Sequence, residues 1–250
     1  MKVCVLMSGL PRLIINAVNK FYSQLNCLNN SEIQFYAYFW GSEDIAVATS
    51  LENIFSEKSR IWFEDGFEDY DDVVVRKKAP ETIVNNVLSM FMARKKLMAA
   101  CNSLNVFQDG TYDIYIYSRP DSCLSGDLDI GEILKKLDKC DLLIPKNGHW
   151  REGVNDQLAI GKSAAMKIYL DVYTNLNKYI DDDVLFHPET LLKYHLKANG
   201  IKVGYLELDN HLFRSENLII DNSYNAKKQI SIFRLPKIIN KIVFKIIGFK

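Results

Sequence analysis

The sequence predicts an α/β fold with a mixed, mostly parallel central sheet flanked by helices. Short apolar or aromatic runs of about four to eight residues alternate with segments of helical period, the pattern of strands connected through helices. The first such run, residues 2–8, ends in Ser8-Gly9 and is followed by Pro11, which cannot continue a paired strand. The composition, 48% hydrophobic and 25% charged over 250 residues, supports one core of ordinary size.

In chain order, residues 2–8 read as a buried first strand and residues 13–25 as a helix. Residues 34–40 (QFYAYFW) are aromatic and β-prone, and read as a second central strand. A helix over 44–55, a short strand over 60–63 and an acidic surface loop over 64–72 follow. Pro80 suits the first position of a helix, with Glu81 in its first turn. That helix runs to about residue 103, with Val84, Val87, Leu88, Phe91, Met92, Leu97 and Met98 at helical spacing. Residues 113–117 read as a strand, 130–137 as a helix and 141–144 as a strand closed by Pro145. Helices are predicted over 157–176 and 188–199, the second ended by Gly200, and a late strand over 201–208.

Charge and cysteine usage exclude several classes. The chain has 31 basic and 31 acidic residues, but the seven basic residues from Lys227 onward face no acidic one, leaving 24 basic against 31 acidic before them. An acidic body with a basic tail is not the footprint of a nucleic-acid binder. The five cysteines are widely spaced without a CxxC pair, which argues against a zinc knuckle or a disulfide framework and for a reducing compartment. The run after Lys2 is too short for a signal peptide, and no stretch of 18 apolar residues occurs, so a cytoplasmic location is expected.

Several segments carry candidate chemistry. Ser8-Gly9-Leu10-Pro11-Arg12 leaves the end of the first strand, where open α/β sheets place ligands. Gly9 permits close backbone approach and Arg12 offers a phosphate-matching fork. The segment is neither GxGxxG nor a Walker loop, and it reads equally as a tight turn with a surface arginine. Asp121, just past the strand ending at Ser118, can hold a divalent cation against a diphosphate, with Arg119 neutralising phosphate or orienting the carboxylate; it can also simply cap a turn. Asp127 and Asp129 imitate a metal-binding pair but sit where the 130–137 helix needs cap and dipole partners. In Gly153-Val154-Asn155-Asp156-Gln157, Asp156 can take a proton from a hydroxyl, or Asn155 or Asp156 can cap a helix. His187-Pro188-Glu189 opens a helix beside the site, and His195 reads as structural or exposed. His211 and Arg214 can fold back over a diphosphate or its metal, or stand in an exposed loop.

In this order the segments resemble those of bacterial and viral glycosyltransferases of capsule and lipopolysaccharide clusters. The matching features are an SGxPR loop (Ser8 with Arg12), an aromatic strand ending in Trp40, and a long helix with Ser89-Met90. They continue with a YDxxxxxRxD strand (Tyr112, Asp113, Arg119, Asp121), an NDQxAIG segment beginning at Asn155 with Met166 after it, and an HPE segment beginning at His187, all within about residues 1–214. The resemblance implies a GT-A-like, Rossmann-like fold. It implies transfer of a sugar from a nucleotide-sugar donor to a glycan or lipid-linked acceptor in cell-surface polysaccharide synthesis. Donor binding falls to Ser8, Gly9, Arg12, Ser89, Arg119, Asp121 and Arg214; Asp156 is the candidate base. Asn155, Gln157, His187 and Glu189 fall on the acceptor side, and Asp121 with His211 are candidate ligands of a divalent cation, Mn²⁺ or Mg²⁺. The chain departs from the pattern in carrying Arg119-Pro120-Asp121 instead of a DxD pair, which leaves metal dependence open. A nucleotidyltransferase would bring more glycines to its first loop; a non-catalytic membrane-bound assembly protein with a degenerate site is the other alternative.

Two units are expected: residues 1–222 as the GT-A-like domain and 223–250 as a basic tail. Within the tail, residues 234–250 (RLPKIINKIVFKIIGFK) put Lys237, Lys241 and Lys245 on one helical face, with isoleucines filling much of the rest. Such a basic amphipathic helix can lie on an anionic membrane surface, at the inner face of the membrane, or pack on the domain or a second subunit.

Overall fold

The computed structural model of the chain describes residues 1–11, 14–25, 31–41, 45–55, 59–65, 81–215 and 218–221. Arg12 and the whole tail, 234–250 included, lie outside them, as does the expected domain boundary at 222/223. The expected fold class is the one observed. A seven-stranded sheet is built from β1 (Lys2–Gly9), β2 (Glu32–Trp40), β3 (Arg60–Glu64), β4 (Ile114–Ser118), β6 (Leu142–Pro145), β7 (Leu158–Gly161) and β8 (Val203–Leu206), in the order β3-β2-β1-β4-β7-β6-β8. Neighbours pair in parallel except that β7 runs against both β4 and β6.

Side-chain alternation along these strands makes two cores, one on each face. Cys4 and Leu6 of β1, Tyr36, Tyr38 and Trp40 of β2, and Tyr115 and Tyr117 of β4 point one way. They meet Val87, Leu88 and Phe91 of α3 (Glu81–Ser103), Met166 and Tyr169 of α5 (Ser163–Leu170), and Leu191 and Leu192 of α7 (Pro188–Ala198). Val3, Val5 and Met7, Phe35 and Phe39, and Ile114 and Ile116 point the other way. There they meet Val18 and Phe21 of α1 (Ile14–Leu25), Leu51 of α2 (Ile45–Phe55) and Ile133 and Leu137 of α4 (Ile130–Leu137). Each buried chain of this size contributes about 1.5–3 kcal/mol, so both layers of helix are held by apolar burial. Asp129 caps α4, its carboxylate accepting from the Glu132 amide at 3.0 Å, as the sequence indicated.

Three expectations change. The predicted helix over 157–176 begins instead as β7, whose Leu158, Ala159 and Ile160 are fully buried between β4 and β6. A short apolar run buried on both faces has no periodicity to separate strand from helix. Helix resumes only as α5, breaks at a 3-10 turn (Tyr173–Asn175) and continues as α6 (Leu176–Asp181). The late strand over 201–208 is the shorter β8. A second sheet, not anticipated, joins β5 (Ser122–Leu124), β9 (Asn210–Ser215) and β10 (Leu218–Asp221) in the antiparallel order β10-β9-β5. Gln24 of α1 fixes β5 through its side-chain amide, donating to the Leu124 carbonyl at 2.5 Å and accepting from the Leu124 amide at 3.0 Å.

The chain lays β1, β2 and β3 outward in one direction and then returns to place β4 on the free side of β1. Strand order therefore reverses between β1 and β4, and a crevice opens outside their C-terminal ends. Because β7 is reversed, its start lies at that same edge, with Leu158 opposite Ser118. Topology alone thus gathers Ser8-Gly9, residues 119–121 and residues 155–157 at one end of the sheet.

Candidate active site

A cleft of about 590 Å³ opens at this edge. Its volume is ample for a bound small molecule. One wall is made by the ends of β1 and β4: Ser8, Gly9, Leu10, Arg119, Pro120 and Asp121. Gly9 has φ +125°, a backbone region open to glycine and strained for other residues, so the turn after β1 depends on it. Ser8 Oγ is 3.2 Å from the Tyr117 hydroxyl on β4. Arg119 folds back on Asp121 as a bidentate fork, Nε donating to Oδ1 at 3.0 Å and Nη2 to Oδ2 at 2.9 Å. The Arg119 amide donates to the Gln157 carbonyl at 2.9 Å, which ties this wall to the next. Burial works against the charged guanidinium, but the carboxylates of Asp121 and Asp156 outweigh it and raise the Arg119 pKa above its ordinary value.

The opposite wall comes from residues 150–157 and the start of α7: Trp150, Asp156, Gln157, His187, Pro188 and Glu189. Gly153 lets these two segments touch. A Cβ on it would fall 2.2 Å from the Glu189 carbonyl carbon and 2.5 Å from its Cβ. The Val154 amide accordingly reaches the Glu189 carbonyl at 3.1 Å. Arg151 and Glu152 just before it take left-handed backbone conformations (φ 50° and 59°), each held from α7: Thr190 Oγ1 donates to the Arg151 carbonyl at 3.0 Å and Lys193 Nζ to the Glu152 carbonyl at 2.6 Å. Glu189 Oε2 lies 2.8 Å from His187 Nδ1, a close polar contact and not an aligned hydrogen bond. Burial raises the Glu189 pKa; His187 partly offsets this and the Asp156 charge adds to it.

Behind the cleft, Arg94 of α3 is completely buried. Its guanidinium lies 4.8, 5.0 and 5.3 Å from the ring centres of Tyr117, Tyr169 and Phe91, and Nε donates to the Tyr117 hydroxyl at 3.2 Å. Nη2 donates to the Asp156 carbonyl and lies 3.6 Å from its Oδ2. Burial opposes the charge, yet Tyr117, Tyr169 and Asp156 together raise the Arg94 pKa. Tyr169 also donates to the Asp156 carbonyl at 2.9 Å. The Asp156 backbone is therefore clamped, while its carboxylate accepts no hydrogen bond from the described residues. Asp156 is only 2% exposed, so the cleft it lines is where its acceptor capacity is available.

The other expected site residues divide. Ser89 lines the cleft and its carbonyl takes the Trp40 indole N–H at 3.1 Å, which fixes the end of β2 to α3. Gln157 lines it as well, its amide oxygen accepting from Asn210 Nδ2 at 2.5 Å. Asn155 does not line it. Its side chain bridges the Asn147 carbonyl (2.9 Å) and the Gln157 amide (2.8 Å), supporting the wall from behind. Neither Asn155 nor Asp156 caps a helix, because the segment leads into β7. His211 sits on β9 opposite Cys123 and is not among the lining residues. Arg214 is placed on β9 by its backbone; its side chain lies outside the description. His195 is buried and structural, contacting the Tyr179 hydroxyl at 2.6 Å and the Ile168 carbonyl at 2.8 Å.

A divalent cation fits this edge poorly. Both oxygens of Asp121 are taken by Arg119, and no group of three His, Cys, Asp or Glu stands together to hold a metal among the described residues.

No protein-family model matches the chain, and no curated protein matches it. Solved structures do. The chain is similar to galactosyltransferase LgtC in complex with donor and acceptor sugar analogues, at 12% identity and a TM-score of 0.49, over 82% of this chain and 73% of that one. It is similar to mouse xyloside xylosyltransferase 1 at 9% identity and a TM-score of 0.46, over 82% and 85%. It is also similar to core-mannan synthase A of Aspergillus fumigatus in its Mn/GDP form, at 8% identity and 0.43, over 84% and 74%.

Sequence reasoning passed over Arg94. It stands in an Ala-Arg-Lys-Lys run that looks like a solvated helix face. The signal was its spacing: Val87, Phe91, Arg94 and Met98 share one stripe, and a cation on an apolar stripe needs a buried partner. Asn210 was also missed. It joins Ser122, Asn147 and Gln157, linking the small sheet to the cleft floor, and only the unanticipated β9 brings it there.

Proposed function

We propose that the protein is a glycosyltransferase that moves a sugar from a nucleotide-sugar donor to a glycan or lipid-linked acceptor. The observation that carries this reading is the Asp156 carboxylate, nearly buried, without a hydrogen bond from the described residues, in a cleft whose other wall presents Arg119. Breaking an anomeric bond to a phosphate leaves negative charge on the leaving group and oxocarbenium character on the sugar. A fixed cation at the first and a carboxylate beside the second are what such a step needs.

On this reading the β1 and β4 wall, with Ser8, Gly9, Ser89, Arg119 and Asp121, holds the donor, and Arg12 and Arg214 add positive charge. Arg119 stabilises the phosphate as it departs. Asp156, oriented through the clamp on its backbone, receives the proton of the acceptor hydroxyl. Gln157, His187 and Glu189 form the acceptor side, with Asn155 supporting them. The motif order read from the sequence supports the same assignment, with residues 1–222 as the catalytic domain.

The acceptor class follows from the tail. The sequence of residues 234–250, with Lys237, Lys241 and Lys245 at helical spacing among isoleucines, supports a basic amphipathic segment that rests on an anionic membrane from the cytoplasmic side, where lipid-linked glycans of cell-surface polysaccharides are built. Among the described residues no helix is long and apolar enough to cross a membrane. The full chain is expected to sediment with vesicles containing anionic lipid, and a chain lacking residues 230–250 is not; equal sedimentation would refute the membrane assignment.

A thermal-shift panel of UDP-, GDP-, dTDP- and CMP-sugars tests the central reading. At least one donor should raise Tm, by a few degrees at saturating concentration. No shift with any donor would argue against glycosyl transfer.

A further inference from the structure

We propose that this site neutralises the donor diphosphate with the Arg119 guanidinium in place of a divalent cation. The inference rests on the cleft being a nucleotide-sugar site and goes on to say how that site handles charge.

The placement of Arg119 is the first support. It occupies the first position after β4, at the crevice where strand order reverses, and its backbone is fixed by the bond from its amide to the Gln157 carbonyl at 2.9 Å. Pro120 follows it and removes a backbone degree of freedom. The side chain is held in turn by two hydrogen bonds to Asp121, at 3.0 and 2.9 Å. Of its donor groups, Nε and Nη2 are used, while Nη1 has no hydrogen-bond partner among the described residues. The side chain remains 26% exposed in the cleft it lines, so this donor edge is open to an anion. A planar fork with one edge anchored and the other free suits phosphate recognition.

The state of Asp121 is the second support. A dication coordinated by that carboxylate would sit within a few ångströms of the guanidinium already bound to it, and like charges at that range repel. The other candidate ligand, His211, lies on β9 opposite Cys123 and outside the cleft lining. Asp121 therefore serves as a positioning residue that aims Arg119.

The test is calorimetric titration of the purified full-length chain with UDP, GDP and dTDP, once in EDTA and once in Mn²⁺. The inference expects at least one nucleotide to bind, with Kd values within about twofold in the two buffers. Arg119→Gln should weaken that binding about ten- to a hundredfold in both, the range for losing a hydrogen-bonded charge. Arg119→Lys, which keeps the charge without the fork, should fall between, and its melting temperature with that of Arg119→Gln separates loss of the site from loss of the fold. Wild-type binding seen only with Mn²⁺ would overturn the inference while leaving the donor site intact. So would a folded Arg119→Gln chain that binds as tightly as wild type. Failure of every nucleotide in both buffers would remove the nucleoside-diphosphate site itself, and this inference with it.

Discussion

Asp121 and Asp156 line the same cleft in different company. Asp121 is gripped on both oxygens by one guanidinium. Asp156 is held through its backbone carbonyl, by Arg94 and Tyr169, and its carboxylate has the charges of Arg94, at 3.6 Å, and Arg119 nearby but no hydrogen bond from the described residues. Buried polar atoms are normally satisfied, so a carboxylate left incomplete at a cleft is where a ligand completes the set. The β4 wall is finished before any ligand arrives and presents a fixed cation. On the proposed function, the wall made by residues 150–157 and α7 is finished when an acceptor binds.

Three substitutions probe this contrast by stability. The largest effect is expected from Arg94→Leu, which leaves Asp156 without its buried counter-charge and should lower the unfolding free energy by about 3–5 kcal/mol in urea titrations. Combining it with Asp156→Asn should recover part of that loss, because the two residues share one interaction. An Arg94→Leu chain as stable as wild type would mean that the wall does not depend on the pair. Gly153→Ala comes next, at roughly 1–3 kcal/mol, because its new methyl overlaps the Glu189 backbone. It should also disturb the cleft, read as weaker donor binding, whereas Gly200→Ala, whose added Cβ meets nothing within 4 Å, should leave the cleft alone.

The smallest effect is expected from Glu189→Gln. Burial raises the Glu189 pKa in the folded chain, so wild type loses stability as pH climbs from the ordinary carboxylate value, about 4.3, through the raised one. The glutamine variant escapes that loss. Its Tm should exceed that of wild type at pH 7 by roughly a degree or two and converge with it near pH 4. A constant difference across the range would show that Glu189 does not titrate in the folded chain as its burial requires.

Much of this architecture was legible in the sequence. Residues 2–8 and 34–40 could be read as strands because apolar and aromatic density is high and Ser8-Gly9 and Trp40 mark their ends. α3 was legible because its stripe is long. Ser8, Gly9, Ser89, Arg119, Asp121, Asp156, Gln157, His187 and Glu189 were all singled out from the sequence, and all line one cleft. β7 was illegible because four residues buried on both faces carry no period. β5 and β9 were illegible because their pairing joins positions far apart in the chain, Cys123 with His211 in register and Ser122 with Asn210 through their side chains. The place of Asn155 behind the wall was illegible for a related reason: it is set by Asn147 and the Gln157 amide, a local geometry that composition does not announce.

The division of labour between the walls can be tested in one variant. Asp156→Asn, assayed with the donor that stabilises wild type, should bind that donor within about threefold of wild type. It should also transfer sugar about 10²- to 10⁴-fold more slowly, the range for losing a general base. Unchanged transfer by a folded Asp156→Asn chain would contradict the account.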